Sequence, residues 1–166
     1  MMEKDLPLDE LPPALAAVFD YWRNLGGETL GCRWLDFELY ELPPEIVPAI
    51  MVADVKPDHH DNVFRFWGTE MTWIHGRDMT GKTISEITPP DLRETIEKNH
   101  AAMAEAPVAS ARVFGFAHHG GFGHLQSVLR LPLSDDGKSL SHIVIVAGLT
   151  NAGRARIEQQ RREDSM

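Results

Sequence analysis

The sequence predicts an α+β domain: a five-stranded antiparallel sheet with flanking helices and an N-terminal amphipathic helix. Three observations lead there. Residues 49–67 hold two strand-like runs around a polar turn, residues 88–107 read as one long helix, and residues 108–149 hold three strand-like runs joined by short turns. Strands joined so closely pair antiparallel, because a parallel return needs a crossover of a dozen or more residues.

Taken in order, Leu11, Leu15, Val18, Phe19, Trp22 and Leu25 recur at helical spacing and form one apolar stripe. Pro12 and Pro13 suit the first turn of that helix, and Gly26-Gly27 ends it. Residues 28–48 are irregular, punctuated by Pro43, Pro44 and Pro48. Runs 49–55 and 62–67 then read as a hairpin across the polar turn 57–61. Short helical turns follow, broken at Gly76 and Gly81. Gly68, Gly76 and Gly81 are each expected at an abrupt stop that needs positive φ. Thr88 is expected to cap the long helix, with Asp91 completing a capping box and Leu92, Ile96 and Met103 on its apolar side. Runs 108–117, 122–133 and 140–149 close the domain. In the last, Ile143, Ile145, Ala147 and Leu149 alternate with His142, Val144 and Val146, so the strand is apolar on both faces and belongs mid-sheet. The N-terminal helix or a partner subunit would cover the second face.

A chain of 166 residues is one domain's worth and buries enough surface to need no staples. Apolar runs such as 143–149 fall far short of the roughly 20 residues that span a bilayer. Met-Met-Glu-Lys-Asp leads into no apolar stretch, so no secretory signal is read, and a single Cys fits a reducing cytoplasm. The net charge of −9 repels nucleic acid and anionic membrane over most of the surface. Arg154, Arg156, Arg161 and Arg162 interleave with Glu158, Glu163 and Asp164 and read as a solvated, polar C-terminal tail or helix.

Candidate ligand contacts come from charges and aromatics inside strands. Arg65 sits between Phe64 and Phe66; Ser110, Arg112, Phe114 and Phe116 share one strand face. Arg65 and Arg112 each either meet a ligand or pair with Asp or Glu and only position the sheet. His118, His119 and His124 bracket a glycine-rich turn, and His59-His60 lie in another. Without a Cys partner or a helical His pair, these read as solvated turn histidines rather than a metal site. Gly120-Gly121-Phe122-Gly123 is flanked by strands, with no following helix to receive a phosphate.

Phe64-Arg65-Phe66-Trp67-Gly68-Thr69, then Ile74-His75-Gly76-Arg77-Asp78-Met79-Thr80-Gly81-Lys82, resembles a motif of a bacterial PAS subfamily of largely unknown function. Tyr21-Trp22-Arg23 and Leu131-Pro132-Leu133-Ser134-Asp135-Asp136-Gly137 resemble that subfamily too, so the likeness covers roughly 20–150. The resemblance implies a non-catalytic sensory or protein-interaction module in signal transduction, homodimeric through the N-terminal helix. It implies no particular ligand or cofactor. A small molecule in the sheet/helix hollow would meet Arg65, Trp73, His75, Arg112, Phe114 and Phe116. The chain then divides into 1–27, an amphipathic helix and dimerisation element; 28–150, the PAS-like domain; and 151–166, the tail. No kinase, cyclase or DNA-binding segment follows Leu149, so output would pass to a separate protein.

Three alternatives stay open. A haem sensor would use His75 or His100, the latter otherwise a solvated helix-surface residue. A small cone-like isomerase would need Asp54 or His124 inside the hollow. An interaction scaffold would have no hollow. Gly31-Cys32-Arg33-Trp34-Leu35 is superficially similar to the flavin-binding motif of photoreceptor PAS domains, but it precedes the first strand, where theirs lies on a helix after the second.

Overall fold

Residues 2–26, 30–118 and 121–149 are described by a computed structural model, together with Ala155, Glu158, Gln159, Arg162, Glu163 and Ser165. The described side chains exclude those of 2, 116–118, 121–125 and 149.

Strands β1 (Met2–Asp5), β2 (Ile50–Asp54), β3 (Val63–Trp67), β4 (Ser110–His118), β5 (Gly121–Leu133) and β6 (His142–Leu149) form one sheet. Its spatial order is β1-β4-β5-β6-β2-β3, and every adjacent pair is antiparallel. Helices α1 (Pro13–Asn24), α2 (Thr69–His75) and α3 (Pro90–Glu105) surround it. Two strands, a helical crossing and three strands therefore lie in one antiparallel layer, as the sequence leads one to expect.

The two-sided strand β6 does sit inside the sheet, between β5 and β2. Val144 and Val146 on one face and Ile143, Ile145 and Ala147 on the other are all buried. Leu15, Val18 and Trp22 of α1 cover the first face: all are buried, and the Leu15 methyl reaches β6 at Gly148. Trp22 also donates its indole N–H to the carbonyl of Pro132 on β5, 2.9 Å away. Each such side chain contributes about 1.5–3 kcal/mol on leaving water. The α1 stripe is thus committed to its own sheet. Helices α2 and α3 cover the opposite face.

Four details depart from the sequence reading. A sixth strand, β1, pairs with β4, with Met2 opposite Gly115 and Asp5 opposite Arg112, so the first residues are extended rather than helical. Alternation over four residues is too short to show without a partner edge. Pro89, not Thr88, stands at the N-cap of α3, with no side-chain cap. The capping interaction falls earlier, where the Thr83 N–H donates to Glu86 at 2.8 Å. Gly76 and Gly81 do adopt φ of 79°, but Gly68 has φ of −62°. Glycine is needed there for close approach, since a Cβ would lie 2.1 Å from the Pro48 carbonyl oxygen. Segment 30–48 is irregular as expected, with 3-10 turns at Trp34–Asp36, Leu39–Glu41 and Val47–Ala49.

Candidate ligand cavity

The face of the sheet under α2 and α3 is not filled. Met51 of β2, Trp67 of β3 and Ile145 of β6 floor a hollow whose roof is Met71 and Ile74 of α2 with Leu92 and Ile96 of α3. It encloses about 200 Å³. Small residues leave the space: Ala147 on β6, and Gly115, which a bulge after Phe114 turns toward the cavity. The walls are mainly apolar. Polar side chains enter from β5 (Gln126, Arg130), α3 (Thr95, His100) and α2 (His75).

Arg130 is the outstanding one. It is 6% exposed, and burial draws its pKa down to about 10, which leaves it a cation at neutral pH. Among the described residues no carboxylate lies within 4.0 Å of it. Its guanidinium instead stands 5.6 Å from the centroid of the Phe114 ring. Glu3 attracts it from farther off, while Arg112 repels it.

His100 is 4% exposed, and burial together with the Arg130 charge lowers its pKa to about 3. The imidazole is therefore neutral. Asn62 fixes its tautomer: the Asn62 Oδ1 accepts the Lys56 N–H at 3.2 Å, so Nδ2 faces His100 Nδ1 at 3.1 Å and donates to it. The ring proton then sits on Nε2. Burial also lowers the pKa of His75. Thr95 turns its hydroxyl back to the Asp91 carbonyl at 3.0 Å. Trp67 is buried, and its indole N–H has no partner among the described residues.

Of the residues singled out from sequence, Phe114 and His75 line the cavity. Arg65 does not: half-exposed on the α1 side of the sheet, it donates to Asp54 at 2.7 Å. Asp54 also meets His142 at 3.2 Å, and His142 stacks on Trp34. The isomerase carboxylate is thus on the wrong face for the hollow. Arg112 pairs with Glu3 at 2.8 Å and Asp5 at 3.4 Å along the β1 edge. For both arginines the carboxylate-paired alternative is the one observed. Trp73 is half-buried and outside the lining. The side chains of Phe116, His118 and His124, and all of His119, lie outside the described residues. Among the described residues no three His, Cys, Asp or Glu side chains cluster to hold a metal.

The sequence reading passed over Arg130 and Gln126 and weighed His100 only as a haem ligand or a solvated helix-surface residue, though each has a signal. Arg130 and Gln126 share a strand face with Val128 by period two, the argument already applied to Arg65. His100 continues the Leu92–Ile96 spacing by another four residues, which places it on the buried stripe and not in solvent.

No family model matches the sequence, and no curated protein matches it. Among solved structures, the PAS domain of Bordetella pertussis BvgS is similar at 17% identity, over 74% of this chain and 93% of that one, with a TM-score of 0.49. A light-oxygen-voltage domain studied with a flavin analogue is similar at 13% identity, over 70% and 87% of the two chains, with a TM-score of 0.43. An RNA-binding light-oxygen-voltage receptor gives 17% identity and a TM-score of 0.40, over 74% of this chain but 38% of its own. The strand order and the helical crossing make this a PAS-like α+β fold.

Some PAS domains carry flavin or haem, and a cavity of about 200 Å³ fits neither. Cys32 lies outside the cavity beside Ser134, and burial raises its thiol to about 11. His75 and His100 both line the cavity, but about 200 Å³ is below the roughly 300–1,000 Å³ that larger ligands occupy.

Proposed function

We propose that this protein is a non-catalytic, cytoplasmic PAS-like sensory module that admits a small ligand between its sheet and α2/α3 and reports occupancy to a separate protein. The observation that supports it is the preformed hollow, apolar-walled with a few converging polar groups. At about 200 Å³ it is somewhat larger than a cavity of roughly 150 Å³ known to take benzene, so the ligand is a single ring or a short branched chain.

In this reading 28–150 hold the ligand, 1–27 carry the response and 151–166 are a polar tail. Helix α1 lies across β5 and β6, the strands that supply Arg130 and Ala147, so floor movements reach it directly. Self-association belongs to the same reading, but it must use a surface other than the Leu15–Val18–Trp22 stripe or first free that stripe. Among the described residues no helix is long and apolar enough to cross a membrane.

The test is thermal stabilisation by a panel of small amphipathic compounds, run in parallel on the wild type and on Ala147→Phe, which fills the cavity. A ligand at 100 times its Kd stabilises by about 2.7 kcal/mol. Stabilisation confined to the wild type supports the site. Equal stabilisation of both forms, or of neither, argues for a scaffold without a ligand.

A further inference from the structure

We infer that the ligand is a small monoanion, a carboxylate on one ring or short branched chain, with its head at Arg130. This rests on the cavity being a ligand site and adds the ligand's charge.

Among the described residues Arg130 has no carboxylate within 4.0 Å, and Glu3 attracts it only from farther off. Arg112 and Arg130 are close enough to repel one another, yet the nearby carboxylates of Glu3 and Asp5 both bind Arg112, at 2.8 and 3.4 Å. Arg130, the more buried of the two, has an aromatic face and no anion within 4.0 Å among the described residues. A buried guanidinium is costly unless its donors are used, and its planar fork matches the two oxygens of a carboxylate. His100 strengthens the selection. Neutral and protonated on Nε2, it adds a donor and no negative charge near the arginine. A cationic head at that position would be repelled by the Arg130 charge.

The remaining walls limit the body. Among the described lining residues Arg130 is the one side chain held as a cation, since burial keeps His75 and His100 neutral, so a dianion would bury one charge without a counter-ion. A ring or branched alkyl group fits against Ile96, Ile145, Ala147 and Met71.

The test compares benzoate, benzamide and benzylamine as isosteric probes by titration calorimetry, on the wild type and on Arg130→Met. Benzoate is expected to bind the wild type at least tenfold more tightly than benzamide, and benzylamine not at all. Arg130→Met is expected to lose the preference while still binding benzamide. Benzamide binding the wild type as tightly as benzoate, or benzoate binding Arg130→Met unchanged, overturns the anion assignment and leaves the cavity a neutral-ligand site. Binding of no probe to the wild type overturns the assignment and the ligand-site reading together. The wild-type comparison decides the matter even if the variant does not fold.

Discussion

Asn62, just before β3, donates to the Nδ1 of His100 on α3, across 3.1 Å and out of contact with water. The bond ties the β2–β3 turn to the roof of the cavity, because Asn62 simultaneously receives the Lys56 N–H at 3.2 Å. Asn62→Leu strips both groups of their partner. It is expected to cost about 1–3 kcal/mol in denaturant unfolding, the range for a buried polar group left unsatisfied. Loss of less than half a kcal/mol would mean the contact is not holding the roof.

The same histidine makes stability depend on pH. In the unfolded chain His100 takes up a proton near 6.5, whereas folded it resists protonation down to about 3. Unfolding therefore binds a proton in that window, so stability is full above about 6.5 and declines as pH falls towards 3. His75 and His142, also lowered by burial, act in the same direction. Replacing His100 with Gln is expected to flatten the pH dependence of the melting temperature between pH 6.5 and 5, above the range where carboxylates titrate. An unchanged slope would place the proton uptake elsewhere.

Two glycines are required by close approach and one only by backbone twist. A Cβ on Gly31 would lie 2.1 Å from the Pro132 oxygen and 2.8 Å from the Trp22 indole nitrogen, at φ of 85°. At Gly68 the obstacle is the Pro48 carbonyl; at Gly76, with φ of 79°, there is open space. Alanine is expected to cost about 1–2 kcal/mol at Gly76, the ordinary left-handed penalty. Gly31→Ala and Gly68→Ala should each cost more than that by chemical denaturation, and equal losses at all three would contradict the packing described.

Arg65 and Arg130 offer a direct contrast. Arg65 forms a partly exposed pair with Asp54, the kind worth about 0–1 kcal/mol. Arg65→Met should change stability by no more than that and leave the affinity of any cavity ligand untouched. A tenfold loss of affinity on that change would return the site to the Phe64–Trp67 strand.

How far the sequence was legible follows from range. The β2–β3 hairpin and the β4–β5–β6 meander rest on local alternation and short turns, and both appear where expected. Strand β1 gains its partner 107 to 113 residues away by register with β4, and nothing within Met2–Asp5 announces it. At the site, Phe114 lines the cavity from the strand face that period two singled out. Period two could not tell whether Arg65 or Arg130 would find a carboxylate, because Asp54, Glu3 and Asp5 reach their arginines only through strand pairing. The helix cap failed for a local reason: the Pro-Pro pair moved the start of α3 past Thr88.

The cavity is tested most directly by methionine methyl NMR. Met51 and Met71 line it, whereas Met79 and Met103 are equally buried but outside it. Titration with benzoate is expected to shift the Met51 and Met71 methyl resonances and leave those of Met79 and Met103 in place. Saturating benzoate that moves none of the four, or moves Met79 and Met103 as much as the other pair, would contradict a ligand site between the sheet and α2/α3.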